Sequence, residues 1–152
     1  MAVADDEAAV RLGGPEGWVT LWNRVHPYDD DMLGFCIEIG AEEMSATLHR
    51  VVLHNETPAT FVAEVAESFE GWSGEKAWES LNRDVTIKAV FRTWGYVDLT
   101  WGLAPWRESM PWRAEVTVRG IQAGEDMKTL AAGLKALLGA DEGEVRGIPD
   151  VG

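Results

Sequence analysis

The chain has 152 residues, 46% of them apolar and 26% charged, the balance of one globular domain with an ordinary core. Its formal net charge is −13, and the acidity is lopsided: residues 1–76 carry 15 acids against 4 bases, residues 77–152 carry 11 against 9. A field of that sign repels phosphate, which argues against direct binding of nucleic acid or an anionic membrane and favours a basic protein partner.

The first ten residues include Asp5, Asp6 and Glu7 and no long apolar run, so no signal peptide or membrane anchor is expected. Nowhere does an apolar stretch approach the ~20 residues that span a bilayer. With a single cysteine, Cys36, no internal disulfide can form. A soluble cytoplasmic protein is the expectation.

Residues 1–14 combine small residues and acids and run into Gly13-Gly14-Pro15, the composition of a flexible arm. Trp18 to Trp22 is rich in aromatic and β-branched residues and predicts a first strand. The run His26-Pro27-Tyr28-Asp29-Asp30-Asp31 predicts a loop. From Met32 to Ile39 the apolar residues Leu33, Phe35, Ile37 and Ile39 alternate with the rest, and Met44 to His54 supplies a second strand with Ala46, Leu48 and Val52 on one face. The two should pair as an antiparallel hairpin.

Thr57-Pro58 reads as a helix start, an N-cap followed by a proline suited to the first turn. Phe61, Val62, Val65 and Phe69 then form an apolar stripe, while Glu64, Glu67 and Glu70 fall on the opposite, acidic side. Gly71-Trp72-Ser73-Gly74 to Trp78 predicts a compact turn that packs both tryptophans under the helix end. Gly71, Trp72, Gly74 and Trp78 are thus structural candidates.

Further strands are predicted over Val85–Arg92, over Tyr96–Leu103 after the turn Thr93-Trp94-Gly95, and over Trp112–Arg119 after a proline-bounded loop. A last helix begins at Glu125 with acids in its first turn and an apolar stripe of Met127, Leu130, Ala131, Leu134 and Leu138. Residues 140–152 are polar and glycine-rich, a tail. The predicted order is β-β-β-α-β-β-β-α: an α+β domain over residues 15–139, with one antiparallel sheet of about six strands and two helices on one face. No internal repeat is visible.

Chemistry is hard to find. His49 and His54 lie five apart on a strand and face opposite ways. His26 with Asp29, Asp30 and Asp31 lacks the glycine and terminal glutamate of calcium loops. Cys36 and His49 sit on neighbouring strands, but a mid-strand cysteine is more often a small hydrophobe than a nucleophile. There is no nucleophile elbow, phosphate loop or dinucleotide fingerprint. Accordingly no metal, no cofactor and no enzymatic activity is expected.

Binding is better represented. Trp94 and Trp106 fall in turns, with Arg107 beside the second, and tryptophan and arginine are the types enriched at interface hot spots. The candidate contact set is therefore Trp94, Trp106 and Arg107 for anchoring, with Glu64, Glu67, Glu70, Asp29, Asp30 and Asp31 for attraction.

The pattern Gly-Trp-x-Gly-x-x-x-Trp-x-Ser over residues 71–80, with the run Phe61 to Val65, Trp112-Arg113-Ala114 and Ala123-Gly124-Glu125, resembles an actinobacterial family of unknown function, number 6228. The likeness spans roughly residues 32–138 and implies no activity. In architecture alone the strand–helix layout is similar to small bacterial immunity proteins. A non-enzymatic protein-binding domain follows as the expectation, in one form an immunity-type inhibitor of a basic toxin. The alternatives are a small-molecule binder or minor enzyme with a pocket near Trp72 and Trp78, and a subunit docked through its uncovered sheet face.

Overall fold

A computed structural model describes residues 9–25, 32–54, 57–105 and 111–139. It contains eight strands and two principal helices. Strands β1 (Val10–Gly14), β2 (Gly17–Val25), β3 (Met32–Ala41) and β4 (Met44–His54) lead to helix α1 (Pro58–Glu67). Strands β5 (Glu75–Glu79), β6 (Val85–Arg92), β7 (Tyr96–Leu103) and β8 (Ala114–Gln122) then lead to helix α2 (Glu125–Leu134), which widens into a π turn at Lys135–Gly139.

Two of these strands are absent from the sequence reading. The expected arm over residues 1–14 is, from Val10 onward, strand β1, paired antiparallel with β2 from Val10↔Leu21 to Gly14↔Gly17. The chain turns at Pro15-Glu16, so the Gly-Gly-Pro run that looked like loosened backbone is a hairpin. The segment expected to be wholly turn becomes strand β5 at Glu75, with Trp78 opposite Ile87.

Instead of one sheet of about six strands there are two four-stranded antiparallel sheets, in orders β1-β2-β3-β4 and β5-β6-β7-β8. The physical reason is coverage. Every strand has one apolar face, and two ten-residue helices are too short to cover such a face across a wide sheet. Two sheets sharing a core with the helices cover each other. The buried inner faces (Val19, Leu21, Phe35, Ile37 and Ile39 from one sheet; Ile87, Leu99, Trp101 and Val116 from the other) join both helices in one apolar cluster. The helices pack on each other, and the nearest approach of the sheets is between β2 and β8. Gly17 permits it: a Cβ there would lie 2.8 Å from the Thr117 carbonyl oxygen.

The result is a ββββα unit made twice. The sequence shows no repeat because only inward positions are under the same demand, and any apolar residue of suitable size meets it.

Local irregularities set which residues are inside. Strand β4 shifts register between Phe35↔Val51 and Ile37↔Leu48, a bulge. One extra residue reverses the faces. Val51 and Leu53 are therefore buried and Val52 is only half-buried, which corrects the assignment of Val52 to the core-facing row. Helix α1 starts as predicted: Ala59 N–H donates to Thr57 Oγ1 at 3.1 Å and Pro58 occupies the first turn. It ends at Glu67, with Ser68 N–H donating to the Val65 carbonyl. That stop takes Phe69 off the apolar stripe, and its side chain is 52% exposed. Among the described residues no helix is long and apolar enough to cross a membrane.

Candidate docking surface

Three elements meet at one end of the second sheet. The first is the exit from α1, where Gly71 N–H donates to the Ser68 carbonyl at 2.9 Å. Gly71 takes φ +109°, and a Cβ on it would lie 2.8 Å from the Phe91 ring. Only glycine meets both conditions. Trp72 follows and rests on Phe91, with ring centroids 5.4 Å apart at 58°. Lys76 Nζ lies 5.3 Å above the Trp72 ring, a cation–π contact. Thus the Gly71–Trp78 stretch seats one tryptophan against β6 and the other within β5. The space around Trp72 is filled by Phe91 and Lys76, and its indole Nε1 is sealed without a hydrogen-bond partner.

The second element is the β6–β7 hairpin. Its tip, Thr93–Gly95, is a tight turn in which Trp94 takes φ 71°, ψ 15° and Gly95 takes φ 81°. The left-handed region costs an L-residue roughly 1–2 kcal/mol, and a bulky residue there is an outlier. The Trp94 side chain is 90% exposed, so burial offsets none of that cost. Below the tip, Asp98 clamps the hairpin. Its Oδ2 accepts from Arg92 Nε at 2.9 Å and its Oδ1 accepts from Gly120 N–H at 3.3 Å.

The third element is the start of α2. Ala123 N–H donates to the Gly95 carbonyl at 2.9 Å, tying the tip to the helix approach. Asp126 Oδ2 accepts from Gln122 N–H at 3.1 Å and closes the first turn. Together these bonds brace the tip on both sides.

Charge at this end is mostly negative. Glu64 and Glu67 on α1, and Glu70 in the turn beyond it, are all exposed, as are Glu75, Glu125 and Asp126. None of Glu64, Glu67 and Glu70 takes part in an ion pair among the described residues. Of the cations here, Arg92 is engaged with Asp98 and Lys76 lies over Trp72.

Of the residues picked out from sequence, the structure therefore brings Trp94, Glu64, Glu67 and Glu70 to one end, beside Gly71 and Trp72. Trp106, Arg107, Asp29, Asp30 and Asp31 lie outside the described residues. Phe69, Tyr96 and Asp98 were missed. Phe69 looked like core; Asp98 and Arg92 looked like ordinary outward residues, and only the register, which places Arg92 opposite Tyr96, brings them together.

Elsewhere the geometry is structural. Cys36 is buried, its thiol donates to the His49 carbonyl at 3.1 Å, and the Asn23 side-chain amide donates to its sulfur at 3.6 Å. Among the described residues no three His, Cys, Asp or Glu side chains are grouped to hold a metal ion. A cleft of about 430 Å³ lies at the opposite end of the second sheet, lined by Glu79, Arg83, Thr86, Gly102, Arg113 and Glu115 among others. Another of about 490 Å³ lies between β1, β8 and α2. Neither reaches Trp72 or Trp78.

Fold and surface together define an acidic two-sheet α+β domain with a braced aromatic tip. Residues 10–141 match the family of unknown function DUF6228, and the chain belongs to that family. No curated protein matches it.

Proposed function

We propose that the chain is a non-enzymatic docking domain whose partner is a basic protein. The observation that carries this reading is the exposed acidic row Glu64, Glu67 and Glu70, outside any ion pair among the described residues, at the same end of the molecule as the exposed tip of the β6–β7 hairpin. Carboxylates that have no ion-pair partner among the described residues add to a net charge of −13 and draw a cationic surface toward that end. An immunity-type inhibitor, held in the cytoplasm against a basic toxin, is one protein of this description.

The test is kinetic. Association of the chain with a basic protein retained on it from native cells should slow as ionic strength rises, because screening shortens the reach of the attraction to ~8 Å at physiological salt. A triple Glu64→Lys, Glu67→Lys, Glu70→Lys variant should associate at least about tenfold more slowly. Association indifferent to both salt and the triple variant would overturn the reading.

A further inference from the structure

We infer that Trp94 is a preformed wedge, and that the partner carries an apolar slot, edged by cations, that takes the whole indole. This rests on the docking reading above and adds to it the anchor and the shape that anchor requires. The conformation of the tip carries a cost that nothing inside the chain offsets. Trp94 and Gly95 take positive φ in succession, the turn sense for which Asn-Gly is the favoured pair. Tryptophan is among the least suited residues for the first place, since its Cβ meets the backbone clash that asparagine tolerates. An exposure of 90% means the indole makes almost no contact within the chain that could offset the clash.

The surroundings hold this arrangement rather than relieve it. Asp98 joins Arg92 to the Gly120 amide, and the Gly95 carbonyl is tied to Ala123, so both arms of the hairpin are fixed before any partner arrives. A rigid aromatic with few free torsions loses little entropy on binding, which is the property of an interface anchor. Backbone strain over-determined by its surroundings, at a residue of no structural use, points to a contact made outside the chain. The nearby carboxylates Glu70, Glu125 and Asp126 set the chemistry of the slot's rim as cationic. Asp98 is then a positioning residue.

The experiment uses two substitutions in the full chain, Trp94→Asn and Trp94→Gly, beside the charge-reversed triple variant. The binding probe is the basic protein retained on the immobilised wild-type chain. Both tip variants should melt higher than wild type by roughly 2–4 °C, because each suits the turn better. Both should bind the probe at least about 30-fold more weakly, mostly through faster dissociation. The triple variant should instead lose association rate. Tip variants that melt lower would show Trp94 to be structural and overturn the inference, as would unchanged probe affinity while the triple variant still weakens binding. If the wild-type chain retains no basic protein, or neither kind of variant alters binding, the docking reading itself fails.

Discussion

Thr20 carries a hydroxyl that is sealed from solvent and has no hydrogen-bond partner among the described residues. An unsatisfied buried polar group costs ~1–3 kcal/mol, and valine has nearly the same shape and a strong preference for strands. Thr20→Val should therefore stabilise the chain by about 1–2 kcal/mol, seen as a higher urea midpoint at unchanged slope. The opposite case is Ser80. Its hydroxyl donates to the carboxylate of Asp84, which is only 3% exposed, and accepts from Val85 N–H at 3.0 Å. Ser80→Ala leaves both groups buried and unpaired, and should destabilise by about 2–4 kcal/mol in the same titration. At Gly71 two independent costs combine, a left-handed backbone and a clash with Phe91. Gly71→Ala should lose about 2–4 kcal/mol and disturb the Trp72–Phe91 contact, which near-ultraviolet dichroism would report.

At the scale of elements, the irregularities of the strands do as much as their regular pairing. The bulge in β4 changes which residues of Val51–Leu53 face the core. Deleting one residue from it, His49 for instance, would remove the bulge while leaving Val51 opposite Phe35 and Leu48 opposite Ile37, so Val51 and Leu53 would stay inward in plain alternation with Ala46 and Leu48. The deletion should therefore cost only about 1–2 kcal/mol, including the loss of the Cys36 thiol bond to the His49 carbonyl, seen as a lower urea midpoint at unchanged slope. A cost above about 3 kcal/mol would mean that the register had slipped and Val51 and Leu53 had turned outward. Helix α1 shows the complementary point. Its start was legible because Thr57 and Pro58 act locally, through a 3.1 Å bond and a fixed φ. Its end was not, because no glycine or proline marks Glu67, and Phe69 looked like one more member of the stripe.

For the whole molecule, the two sheets and two helices form one apolar cluster, so unfolding should be a single cooperative transition by dichroism and by tryptophan fluorescence. The charge asymmetry acts at the same scale. With 15 acids and 4 bases in residues 1–76, self-repulsion opposes compaction, and moderate salt should raise the melting temperature while it slows association with a cationic partner. These two responses to one variable run in opposite directions, which separates a field acting on folding from a field acting on docking.

Alternation, caps and composition were readable along the chain because each depends on neighbours within a few residues. They placed six of the eight described strands, both helices and the turn that carries Trp94. Strand β1 and strand β5 escaped because each is short and takes its stability from a partner strand rather than from its own residues. The division into two sheets, the bulge that reverses β4, and the meeting of the α1 exit with the β6–β7 tip all depend on which surfaces remain to be covered once the strands have paired. That is settled by packing between distant segments, and no local pattern encodes it.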